Sequence, residues 1–177
     1  MMLKATKLNE SGYEESILGF GMAMKPRSAR LDAWWSNDRR KQVERTAEIN
    51  AHRDGGHNKF LRGIMTWWHL DMPRFMSQEL ATYKIGTVSL SASTMHRITY
   101  EPATMDCFDG HELLDYADME ALTVIVEAVN RAVERKDLLT AKRLLPESYM
   151  LEQVFVCSYA VLREIIKQRH DHRLAGW

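Results

Sequence analysis

A run of alternating hydroxyl and apolar residues, Thr87-Val88-Ser89-Leu90-Ser91-Ala92-Ser93, follows directly on a helix-patterned segment of this chain. Side chains of an extended strand point alternately to opposite faces, so the four hydroxyls share one face and Val88, Leu90 and Ala92 the other. Such a strand reads as a sheet edge with a wet face. With Thr94, His96 and Arg97 close behind, it also gathers the hydroxyls and cations that a phosphate needs. Just upstream, Met72, Phe75, Met76, Leu80 and Tyr83 recur at helical spacing and predict one buried stripe, which leaves Arg74, Ser77, Gln78, Ala81 and Lys84 on a face free to bind. Asp71 is the expected cap, Pro73 suits the first turn, and Ile85-Gly86 ends the helix.

The rest of the chain is organised around that junction. Residues 2–8 alternate weakly and predict a first strand. Ser11 and Glu14 stand at capping-box spacing, so a helix is expected to begin there. Gly19-Phe20-Gly21 lacks a third glycine and reads as close packing rather than a dinucleotide fingerprint. Trp34, Trp35, Val43, Ala47 and Ile49 give a second helix a partial apolar face, and Asp38-Arg39-Arg40-Lys41 is its solvated side. Asp54-Gly55-Gly56 breaks that helix before His57, and 64–70, with Trp67 and Trp68, reads as a strand. Residues 98–110 read as an irregular surface excursion, 116–136 as a long helix, and Met150 to Ile166 as a second long helix with one broad apolar face after Pro146. The expected architecture is α+β, a single domain over 1–177 in which a small, mostly antiparallel sheet packs with several long helices.

The segment RFMSQELATYKIGT, with Arg74, Gln78, Glu79, Leu80, Ile85 and Gly86, resembles the signature helix of flavin-dependent thymidylate synthases. Gly56-His57-Asn58-Lys59-Phe60 is similar to that family's His-x-x-x-Phe approach to its flavin. Ser93-Thr94-Met95-His96-Arg97 sits where the family carries a phosphate grip, and Ala141 to Pro146 is similar to the segment leading into its last helix. The chain departs where the family has Arg-His-Arg, since Thr82-Tyr83-Lys84 keeps one cation and replaces the imidazole with a phenol. Lys meets a phosphate as a point charge, without the planar fork of Arg. The ending Leu174-Ala175-Gly176-Trp177 also differs from the family's Glu-Ile-Arg, as in a short, divergent branch.

The resemblance implies reductive methylation of dUMP to dTMP by a homotetramer, with FAD as cofactor and NADPH and methylenetetrahydrofolate as co-substrates. It implies that Arg74, Glu79, Thr87, Ser93, Thr94 and His96 hold the nucleotide, that Arg97 is a substitute grip, and that Arg169 closes the site. It implies that His57, Lys59, Tyr83 and Lys84 contact FAD, and it supplies no side-chain nucleophile. Two alternatives follow from the departures: a pyrimidine-nucleotide one-carbon transferase with a different product, and a non-catalytic nucleotide-binding homologue with a decayed flavin site.

Bulk properties narrow the partners. Lys plus Arg equals Asp plus Glu at 24 each, so no field for a long nucleic acid is expected. Cys107 and Cys157 form no CxxC pair, and His170-Asp171-His172-Arg173 lacks further ligands, so neither a disulfide framework nor a metal site is expected. With no apolar run of membrane-spanning length and no signal-peptide core, the expected location is the cytoplasm.

Overall fold

The computed structural model of the protein describes residues 3–172. In chain order the elements are β1 (Lys4–Ser11), α1 (Tyr13–Gly21), α2 (Leu31–Trp34), α3 (Asn37–Ala51), β2 (Met65–Pro73), α4 (Arg74–Leu80), β3 (Thr87–Ser91), α5 (Thr94–Tyr100), α6 (Tyr116–Glu134), α7 (Leu138–Leu144), β4 (Met150–Ser158) and α8 (Tyr159–Arg169). The strands form one antiparallel sheet in the order β1-β2-β4-β3. The expected α+β class and antiparallel sheet are therefore present.

Strand alternation decides which face is covered. Trp68 stands opposite Phe155, Leu70 opposite Gln153 and Met72 opposite Leu151, so the even positions of β2 and odd positions of β4 share a face. Met76 and Leu80 of α4 and Ile165 of α8 close over Leu70, Met72, Phe155 and Cys157 there. The predicted stripe of α4 is thus real, although Met72 reaches it from the strand. On the other face the sheet stays open at β3, where Val88 and Leu90 are 53% and 64% exposed. A second core, with Ile98, Phe108, Val126, Val129 and Ala141, joins α5, α6 and α7, and a third of Ile17, Val43 and Ala47 joins α1 to α3.

Several expectations need correction. α4 ends at Leu80 rather than at Ile85-Gly86, and Trp34 and Trp35 lie ahead of α3 rather than within it. Met150, Leu151, Val154 and Phe155 belong to β4, so the long helix expected after Pro146 is a strand followed by a helix that begins only at Tyr159. Their spacing fits a helix, but Leu151, Gln153, Phe155 and Cys157 are the buried alternate set, and partners on both sides satisfy the backbone as a central strand. Asp71 does not cap α4, because β2 runs through Pro73 and the helix starts directly after it. Ser11 likewise ends β1, and the residue at the start of α1 is Gly12 in the left-handed conformation. Ile49 faces solvent rather than the apolar side of α3. Within 98–110, α5 continues to Tyr100 and Ile98 and Phe108 are core residues.

Gly21 does serve close packing: a Cβ there would meet Trp34 at 3.1 Å and Val43 at 3.2 Å. No helix among the described residues is long and apolar enough to cross a membrane. Arg173 and the segment 174–177 lie outside the described residues.

Candidate functional site

After α4 ends, the chain turns through Ala81 to Gly86, and Gly86 takes a positive φ of 73° that admits the entry into β3. This turn walls a groove of about 910 Å³ against the start of α8. Thr82, Tyr83, Lys84, Ile85 and Thr87 form one side, Val156, Ser158, Val161 and Glu164 another, and Arg62 and Met65 close the end. Ile85, 89% exposed, stands on the rim. A smaller cavity of about 380 Å³, lined by Gly55, Gly56 and Asn58, shares Arg62, Ala160 and Glu164 with it.

Tyr83, Glu79 and Arg169 come together beside the groove. Arg169 Nη1 donates to Glu79 Oε2 at 2.7 Å and its Nε to the Tyr83 hydroxyl at 3.2 Å, while the guanidinium lies 5.7 Å from the Tyr83 ring centre. The Tyr83 hydroxyl donates in turn to Gln168 Oε1 at 3.0 Å. His172 Nε2 approaches the same Glu79 carboxylate at 3.6 Å. Tyr83 thus ties the turn after α4 to the end of α8.

The remaining nucleotide candidates are spread out. Arg74, 21% exposed at its side chain, donates from Nη1 to the Leu145 carbonyl at 2.9 Å and lies 3.3 Å from Glu147 Oε1. Gln78 Nε2 donates to the same Glu147 at 3.0 Å, so the expected free face of α4 is docked on the turn before β4. Arg97 Nη2 donates to Glu152 Oε1 at 3.1 Å, and His69 Nε2 lies 3.5 Å from the other oxygen. Thr87 Oγ1 donates to the Tyr83 carbonyl. Ser93 caps α5 by accepting from the His96 backbone N–H at 3.4 Å, so Thr94, His96 and Arg97 are helical rather than a continuation of the strand.

Of the flavin candidates, Tyr83 and Lys84 line the groove, whereas His57 and Lys59 do not. His57 is exposed, and Lys59 folds back on Gly56, whose added Cβ would meet its Cε at 2.9 Å.

Two polar residues escaped the sequence reading. Gln153 is buried at the centre of the sheet, where its Oε1 accepts from Ser77 Oγ at 3.3 Å and Ser89 Oγ at 3.1 Å. Alternation through 151–157 is the signal that finds it. Arg62 reaches the groove from the short 3-10 segment Lys59–Arg62, and no pattern in the sequence points to it. Cys157 is buried against Thr66, and burial pushes its thiol up from the usual range. No group of three or more His, Cys, Asp or Glu among the described residues is arranged to hold a metal ion.

No protein-family model matches this sequence, and no curated protein matches it. Solved structures share its fold. Flavin-dependent thymidylate synthase ThyX from Helicobacter pylori, complexed with FAD and dUMP, superposes with a TM-score of 0.73 at 12% identity, over 96% of this chain and 86% of that one. The UMP/dUMP methylase PolB from Streptomyces cacaoi, bound with 5-Br dUMP, gives a TM-score of 0.65 at 12% identity, over 93% of this chain and 76% of that one. The architecture is the α+β fold that these structures share. More narrowly, it is the fold of the flavin-dependent thymidylate synthases, as the signature-helix resemblance implies.

Proposed function

We propose that this chain is a flavin-dependent thymidylate synthase-like enzyme that reductively methylates dUMP to dTMP, using FAD, NADPH and methylenetetrahydrofolate. The observation that carries the reading is the match of fold over 96% of the chain to a protein solved with FAD and dUMP. It is supported by the groove at Thr82 to Thr87, where the sequence resemblance puts flavin contacts.

The residues of the groove suit FAD. Ile85, Val88, Val156 and Val161 give apolar walls for a flat ring, and Lys84 offers a cation at the rim. Bound there, the flavin supplies the hydride chemistry. The chain's own part is to hold rings and phosphates. Arg169 and Glu79 fix the end of α8 against α4 beside the groove. Arg74 and Arg97 serve the nucleotide phosphate in competition with Glu147 and Glu152.

A homotetramer with sites shared between subunits is part of this proposal. The open sheet face at Val88 and Leu90 supports it, since apolar surface of this kind is normally covered. The stripe of the last helix supports it less than its spacing suggests, because half of that stripe is β4 and is buried in the sheet. The likeness to a UMP/dUMP methylase favours a second acceptor, UMP, at the same site.

Titration with about 100 μM FAD, enough to fill sites of micromolar or tighter affinity, should give a yellow protein that retains flavin on gel filtration. Calorimetry should show binding of dUMP but not of uridine, and the full mixture should form dTMP. A protein that takes up no flavin leaves the non-catalytic nucleotide-binding reading in its place, and binding of neither dUMP nor UMP removes the pyrimidine site altogether.

A further inference from the structure

Two cations without partners face the same groove. Among the described residues, the side chains of Arg62 and Lys84 make no hydrogen bond or ion pair, and both line the cavity of about 910 Å³. Both are exposed, so neither is held by packing alone. Arg163, by contrast, is tied to Asp54 Oδ1 at 3.0 Å and to the His52 carbonyl at 3.3 Å.

Arg62 also stands where two cavities meet. The larger one shares Arg62, Ala160 and Glu164 with the smaller cavity of about 380 Å³, so the two adjoin at a waist beside Arg62, and Gly55 and Gly56 line the smaller. A ligand spanning both would have a ring system on each side of this waist and its connecting group beside the guanidinium. Arg suits a phosphate there, because its planar fork can donate two parallel hydrogen bonds to phosphate oxygens. The buttress is rigid: Leu61 is buried, and Gly63 lies so close to α1 that an added Cβ would meet Ser16 Oγ at 2.4 Å. Glu164 shares the waist, and its Oε1 is 3.9 Å from Arg163 Nη1, a weak pairing that leaves its charge to oppose an anion.

We propose that Arg62 is a phosphate-binding residue, and that with Lys84 it holds the diphosphate of an elongated nucleotide ligand lying across the waist between the two cavities. The naming of that ligand as FAD rests on the functional reading above, whereas the diphosphate contact does not.

The test compares FAD, ADP and adenosine by calorimetry on the wild type and on Arg62→Ala, Arg62→Lys, Lys84→Ala and Glu164→Gln. The wild type should bind FAD and ADP, and Arg62→Ala should weaken both by about ten- to a hundredfold, with Arg62→Lys recovering part of the loss. Adenosine should be indifferent to all four changes. Glu164→Gln should tighten ADP. Unchanged thermal melting of Arg62→Ala separates lost contact from lost structure. Failure of the wild type to bind ADP, or equal binding of ADP by wild type and Arg62→Ala, overturns the proposal. If ADP binds through Arg62 but FAD does not, the diphosphate site stands and the flavin reading falls. FAD binding that ignores Arg62 has the reverse meaning.

Discussion

Arg62 and Arg74 flank opposite ends of β2, and they are in opposite states. Arg74 sits in the family-like helix and is satisfied by Glu147 and the Leu145 carbonyl. Arg62 lies in a turn with no recognisable pattern and has its fork open to the groove. A position within a signature therefore says which residue is present, while the surrounding carboxylates say whether its charge is available. Glu79, Tyr83 and Arg169 close a polar network at the end of α8, whereas Arg62 and Lys84 leave their charges open beside the groove.

The largest effect should come from the corner that supports the groove. Gly12 has a φ of 80°, and a Cβ there would meet the Gly63 carbonyl oxygen at 2.3 Å. Gly12→Ala combines left-handed strain with a backbone clash and should cost about 3 kcal/mol or more in thermal or urea unfolding. An unchanged melting temperature would mean that this corner does not fix the turn carrying Arg62.

Next comes the closed network itself. Arg169 is 17% exposed at its side chain and joins Glu79 to Tyr83, so Arg169→Ala should lower stability by about 1.5–3 kcal/mol. A double-mutant cycle with Glu79→Ala measures the pair directly, and additive losses would show that the network has no coupling.

Tyr159 gives a pH-dependent version of the same contrast. Its hydroxyl donates to Glu10, linking the edge strand β1 to the start of α8. Burial, then the Glu10 hydrogen bond, pushes the Tyr159 pKa up to about 12, and the same bond holds Glu10 below its ordinary value. The tyrosine contribution is complete below the ordinary phenol pKa and is lost as pH rises towards 12. The Glu10 contribution is present above its ordinary pKa and is lost as pH falls through the lowered one. Tyr159→Phe should cost about 1 kcal/mol at neutral pH and flatten both limbs of the stability profile. A profile identical to the wild type would refute this link.

The smallest stability change is expected at Glu147, whose side chain is 52% exposed. Glu147→Gln should alter unfolding by no more than about 1 kcal/mol, while freeing Arg74 and tightening dUMP severalfold. Weaker dUMP binding in that variant would assign Arg74 to structure alone.

Much of the fold was legible because periodicity reports burial. The stripe of α4, the strand through Trp67 and Trp68, and the helix from Tyr116 all follow from it. β4 carries a helical pattern because Met150, Leu151, Val154, Phe155, Leu162 and Ile165 continue one apolar spacing across a strand and a helix, and pairing with distant strands leaves no local mark. The site was legible in part. Glu79, Tyr83 and Arg169 do meet, whereas the availability of Arg74 and Arg97 depends on Glu147 and Glu152, which lie 73 and 55 residues further along the chain. Arg62 depends on a cavity wall formed by α8, and no local pattern could announce it.

The position of β4 has a kinetic consequence. Its partners on either side are β2 and β3, so Met65 waits for Ser158 and Thr87 for Cys157 before the sheet has a centre. Such distant pairings make loop closure slow relative to helix formation. While β4 is undocked, β2 and β3 each present an unpaired edge, including the Val88–Leu90 strand whose outer face is apolar even in the native protein. Refolding yield should therefore fall as protein concentration rises, because one chain's missing centre strand can be supplied by another's.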